Sequence, residues 1–119
     1  WGGCARFLLA ERTRLYRPAA CKRSRRMSVL KGLRVVEFEG LGPGPFCGML
    51  FADLGADVIL IGRAGGAVGA LFNRGKRVLP LDLKQPKHVA AAIRIAATAD
   101  ATIEGLRPGV MERLGLGPE

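Results

Sequence analysis

From Leu33 onward the apolar positions fall into runs that alternate between strand-like and helix-like spacing. LRVVEF, residues 33–38, is a short β-branched run suited to a buried strand. GLGPGP follows, and Pro43 and Pro45 can open a helix there, because the N–H each lacks would have no helical partner anyway. FCGMLFADLG sets Phe46, Met49, Leu50 and Leu54 at helical spacing and closes on Gly55 at a C′ position. ADVILIG returns as a second buried strand. AGGAVGALF reads as an exposed flexible loop, and RGKRVLPLDL as a basic turn running into a strand that Pro80 confines to a sheet edge or makes irregular. Residues 86–99 place Val89, Ala92, Ile93 and Ala96 on one helical face. ATIEG is a further apolar strand, and RPGVMERLGLG a turn with a short helix. Alternating strands and helices joined by right-handed crossovers predict an α/β fold, a Rossmann-like parallel sheet. Several strands lack partners within the chain, so the sheet is expected to be the incomplete amino-terminal part of a larger one, with unpaired edges and poor solubility.

The formal charge of +9 comes from 19 basic and 10 acidic residues and invites a nucleic-acid reading. Its distribution argues against one. Residues 1–26 carry eight Lys/Arg and the single acid Glu11, which leaves eleven basic and nine acidic residues from Met27 onward. The basicity belongs to a leader rather than to the domain at 27–119, and no nucleic-acid partner is expected. The leader is Arg-rich and nearly acid-free. It reads as a disordered tail or upstream extension outside the fold, or as an organelle transit segment. Its longest apolar run, FLLA, is too short for a secretory core or a membrane span. Cys4, Cys21 and Cys47 form no CxxC pair, so neither a metal site nor a disulfide framework is expected, and a reducing compartment suits them.

The turn after the first strand resembles a nucleotide-binding loop without completing one. A dinucleotide fingerprint needs three glycines, but the frame from Gly40 ends on Pro45 and the frame from Gly42 ends on Cys47. Gly62 and Arg63 stand where an acid would grip a ribose. The P-loop pattern fails at Ala70 and Arg77. What remains is a set of cations at strand ends: Arg63, the Arg74, Lys76, Arg77 cluster, Lys84 and Arg107. Ligands of open α/β sheets sit outside the carboxyl ends of the strands, and such a rim suits a polyphosphate. His88, the sole histidine, has no carboxylate companion nearby in sequence and reads as a solvated surface residue. Cys47 reads as a structural thiol on the apolar helix. Asp53, Asp57 and Asp82 read as capping or turn acids.

Three blocks, VVEFEGLGPGPFCGMLFADLGADVILIGR, RGKRVLPLDLKQP and EGLRPGVMERLGLGPE, closely resemble, in order, the amino-terminal region of the α-methylacyl-CoA racemases, a branch of the family III CoA-transferase group. The resemblance covers residues 29–119. It implies interconversion of (R)- and (S)-2-methylacyl-CoA thioesters, such as branched-chain fatty acyl and bile-acid intermediates. The α-proton is removed to an enolate and returned on the other face, without metal or organic cofactor. The family's catalytic histidine and aspartate would lie beyond residue 119, so none is expected here and the chain alone should be inactive. By resemblance, Arg63 meets the adenine or 3′-phosphate end of CoA, and Lys84, Arg107 and Arg113 serve its phosphates. Leu81 and Leu83 line the adenosine pocket, and the loop with Gly42, Gly44 and Pro45 lies near the thioester.

Two departures stand out. The family reads an acid before this Arg where the chain has Gly62, which weakens the expected ribose contact. The transferase branch places a glutamine near Gly42, and its absence favours the racemase branch. The alternatives are a family III CoA-transferase or a non-catalytic CoA- or protein-binding piece. The resemblance further implies an acyl-CoA partner, a mitochondrial or peroxisomal location with the cytoplasm left open, and interlocked homodimers that so short a chain is not expected to form.

Overall fold

The computed structural model describes residues 29–63, 69 and 71–117. Its strands are β1 (Arg34–Phe38), β2 (Asp57–Gly62), β3 (Arg77–Pro80) and β4 (Ala101–Ile103), and its helices are α1 (Pro43–Asp53), α2 (Pro86–Ala96) and α3 (Val110–Arg113). All pairings are parallel and the sheet order is β3-β2-β1-β4. Arg34↔Asp57 to Phe38↔Ile61 sets the β1–β2 register, Val35↔Ala101 to Glu37↔Ile103 the β1–β4 register. β3 is an edge strand with Pro80 as its last residue, the placement a missing N–H demands. The alternating α/β order is therefore realised as a parallel sheet, and β3 and β4 are its edges among the described residues.

Central strands are buried on both faces, and the buried positions of β1 and β2 are apolar except for Glu37 and Gly62. On one face Val36, Phe38 and Ile61 pack with Ala92 of α2 and Met111 of α3. On the other, Val35 and Val58 pack with Ala52 and Ala56 at the end of α1. Val36 and Ile61 are fully buried, each stabilising the fold by roughly 2 kcal/mol relative to exposure. α1 opens at Gly42, whose φ of 80° only glycine adopts freely, and Pro43 follows as its first residue. Leu54 is its C-cap and Gly55 takes the left-handed turn at φ 100°.

Two helical faces differ from the apolar spacing in the sequence. α1 turns Pro45, Gly48, Met49 and Ala52 inward, so Phe46, Leu50 and Leu54 form an exposed stripe. Gly48 and Ala52 are small enough for close approach to the sheet, and Met49 is buried with them. In α2, Ala92 is buried, Ile95 packs against the core and Ile93 is exposed. The basic leader and most of AGGAVGALF lie outside the described residues. Among the described residues no helix is long and apolar enough to cross a membrane.

Candidate functional site

The chain leaves β1 toward β2 and β3 on one side and later returns to place β4 on the other. This makes the carboxyl end of β1 a topological switch point, where loops diverge and a crevice opens. A cleft of about 550 Å³ lies there. Its walls come from every strand end: Phe38 and Glu39 after β1, Gly62 and Arg63 after β2, Leu81–Lys84 after β3, and Gly105–Arg107 after β4, closed by Val110 and Leu114. The β1 and β4 loops meet here, with Gly40 beside the Gly105 carbonyl group.

Arg63, Leu81, Leu83, Lys84 and Arg107 all border this cleft. Among the described residues the Lys84 ammonium and Arg107 guanidinium form no ion pair. Leu81, Leu83 and Leu106 belong to the core cluster beneath, which gives the cleft an apolar floor and a cationic rim. Such a surface can take a flat heteroaromatic group below and phosphates at the rim.

Other expected members lie elsewhere. Arg113 is exposed on α3 and does not border the cleft; its guanidinium folds back near Gly109. Gly42, Gly44 and Pro45 form the N-cap and first turn of α1, so only Gly40 and Leu41 of that loop reach the cleft. The Arg74, Lys76, Arg77 cluster is not a strand-end rim. Because it leads into β3, it sits at the amino end of the strands, opposite the cleft, where Arg74 pairs with Asp53 and Arg77 with Asp57. The two acids thus hold guanidiniums rather than simply flanking turns.

Lys76 goes further and enters the core. Its Nζ donates to Glu37 Oε1 at 2.8 Å and to the Pro45 carbonyl at 2.9 Å, and both charged side chains are fully buried. Glu37 Oε2 lies 2.6 Å from the same Nζ, within ionic range but without hydrogen-bond geometry. Burial pushes the Glu37 carboxyl above the ordinary carboxylate value, while the hydrogen bond and charge of Lys76 oppose that rise. Gly48 makes the pair possible, since a Cβ there would stand 1.8 Å from Glu37 Oε2. The pair ties β1, the residue before β3 and the first turn of α1 together beneath the switch point.

Glu39 is the site residue that sequence reasoning missed. Its signal was the repeat of an acid two positions after Glu37, at a strand end followed by glycine. Its carboxylate leans over Gly62 and accepts the Arg63 backbone N–H at 2.8 Å; the Arg63 Nε is 4.0 Å away. His88 is also less solvated than expected. It is half-buried at the start of α2, where its Nδ1 accepts the Asp82 N–H at 3.0 Å, and it borders a recess beside the cleft. Hydrogen bonds from the Lys84 N–H and the Gln85 side chain hold Asp82 below the usual carboxylate range.

Known proteins share this sequence and fold. The chain is 53% identical over 91 residues to α-methylacyl-CoA racemase of Mus musculus and 50% identical over 91 residues to that of Homo sapiens, in each case across 76% of the chain. It spans about a quarter of the length of these curated relatives, 24% of each. The crystal structure of Rv3272 from Mycobacterium tuberculosis superposes with a TM-score of 0.67 at 38% identity, covering 74% of this chain and 27% of that one. Residues 30–119 match the profile of CoA-transferase family III, and with these likenesses the chain belongs to that family.

Proposed function

We propose that the switch-point cleft holds the CoA moiety of a 2-methylacyl-CoA thioester, and that this chain is the CoA-binding portion of a racemase acting at the α-carbon. The observation that carries the reading is the convergence of Arg63, Lys84 and Arg107 on one cleft above Leu81 and Leu83. The adenine would lie on the leucine floor and the phosphates on the rim, where a guanidinium can hold a phosphate through two parallel hydrogen bonds. Identity of 50–53% to the mouse and human racemases supports the branch.

Racemisation needs one base to take the α-proton, a second acid to return it on the opposite face, and donors to hold the enolate oxygen. The thioester carbonyl supplies the acidity, so the reaction itself calls for no metal or organic cofactor. Among the described residues bordering the cleft, the carboxylates Glu39 and Asp82 are already engaged by the backbone N–H groups of Arg63 and Lys84. His88, the one histidine, sits at its flank with Nδ1 already accepting a backbone hydrogen bond. We therefore assign both transfers to the region that the relatives possess beyond this match. A CoA-transferase reading stands second, favoured by the family as a whole.

Deuterium incorporation at C2 of a 2-methylacyl-CoA tests the assignment. The chain is compared with a chimaera extended to full length with the mouse racemase sequence. Exchange is expected for the chimaera only. Exchange by the 119-residue chain alone would refute the placement of the proton-transfer groups. Transfer of CoA to a free acid by the chimaera, without C2 exchange, would establish the transferase reading instead.

A further inference from the structure

The end of β2 lacks an acid in sequence, with Gly62 and Arg63 where a carboxylate would meet a ribose, yet the structure puts a carboxylate at that point. It comes from the neighbouring strand. A Cβ on Gly62 would lie 2.6 Å from the Glu39 Cβ and 2.7 Å from its Oε2, so the Glu39 side chain occupies the volume that a residue-62 side chain would fill. The space is open to Glu39 only because residue 62 is glycine. The Arg63 N–H fixes the carboxylate at 2.8 Å, and its side chain is only 15% exposed although it borders the cleft. A carboxylate has about four acceptor positions, and the Arg63 N–H is one of the groups it binds.

An anionic group inside a rim of Arg63, Lys84 and Arg107 does not help to hold a phosphate. Its chemistry is that of an acceptor for a ligand's hydroxyl. Where a nucleotide carries a 3′-phosphate, as CoA does, the ribose has one donor left, the 2′-hydroxyl. We infer that Glu39 is a specificity-determining residue that accepts the ribose 2′-hydroxyl of the bound nucleotide, replacing from β1 the acid missing at the end of β2, while the adjacent Arg63 side chain turns to the 3′-phosphate. The Arg63 side chain is 79% exposed and its Nε lies 4.0 Å from Glu39, close enough for two neighbouring ribose substituents to be read by the two residues together. This inference rests on the reading of the cleft as a CoA site.

The probes are adenosine 3′,5′-bisphosphate and its 2′-deoxy form, which differ by the one hydroxyl and carry the same charge. Calorimetric titration of the unaltered chain is expected to show the ribonucleotide bound about tenfold more tightly, the scale of one hydrogen bond to a charged acceptor. Glu39→Ala should reduce that preference to less than about twofold, with the loss falling on the ribonucleotide. Arg63→Ala should weaken both nucleotides together and keep their ratio. Equal binding of the two forms by the unaltered chain overturns the assignment whether or not Glu39→Ala folds, as does a Glu39→Ala chain that keeps the preference. If the unaltered chain binds neither nucleotide nor CoA, the reading of the cleft itself fails and this inference falls with it.

Discussion

Replacing Lys76 by Met leaves the Glu37 carboxylate in the core with no counter-charge. Both side chains of the pair are fully buried, so water cannot take over the role of the ammonium, and the Pro45 carbonyl loses its donor as well. Removing one partner of a buried pair costs about 3–5 kcal/mol, a large share of the roughly 5–15 kcal/mol that holds a domain folded. Equilibrium urea unfolding followed by circular dichroism should move its midpoint down by at least about 1 M for a domain with an ordinary denaturant slope. The loss should depend on pH in a defined direction. Without Lys76 the two influences that oppose burial vanish, and the folded-state value of Glu37 rises further. A carboxyl raised on folding costs nothing while both states are protonated, below about pH 4.3, and its penalty grows as pH climbs through the folded value. The Lys76→Met deficit should therefore be largest at neutral pH and shrink toward acid. Glu37→Met combined with Lys76→Met removes both charges and should recover most of the loss. A double variant as unstable as the single one, or a deficit that does not change with pH, would refute the account.

Gly48→Ala sets a Cβ 1.8 Å from Glu37 Oε2 and 3.1 Å from Lys76 Nζ, both immobile in the core, and thermal unfolding should show a loss of at least about 2 kcal/mol. Asp82 is held below the ordinary carboxylate range by its turn hydrogen bonds, so its contribution is present above about pH 3.9 and is lost as pH falls through the lower folded value. Urea midpoints of the unaltered chain and Asp82→Asn should therefore differ at pH 6 and converge toward pH 3. Phe46 and Leu50 expose 49% and 43% of their surface along α1, and Phe46→Lys with Leu50→Lys should raise the monomer fraction in analytical ultracentrifugation while leaving the unfolding midpoint within about 0.5 kcal/mol.

The α/β order, the parallel sheet and the edge position of β3 were readable in the sequence, because β-branched runs and the placing of Pro80 are local signals. Arg63, Lys84 and Arg107 were legible as a set for the same reason, each following a strand end directly. Arg74, Lys76 and Arg77 misled because a linear reading cannot tell the residues before a strand from those after its predecessor, and the two lie at opposite ends of the strands in a parallel sheet. Glu37 was hidden in an apolar run. Its partner lies 39 positions away, and the gap that admits it is the missing side chain of Gly48 on a third element. Glu39 over Gly62 was invisible for a similar reason, since the volume it fills exists only once β1 and β2 are in register. The inward faces of α1 and α2 depend on how each helix is rotated against the sheet, which hydrophobic spacing alone does not fix.

The central claim is that the strand-end cations of the cleft hold the phosphates of CoA. Its most direct test is calorimetric titration of CoA into the unaltered chain and into one carrying Arg63→Ala, Lys84→Ala and Arg107→Ala. At about 1 kcal/mol for each largely exposed contact, the triple substitution should weaken CoA on the order of a hundredfold. An affinity that stays within about twofold of the unaltered chain's would contradict the claim.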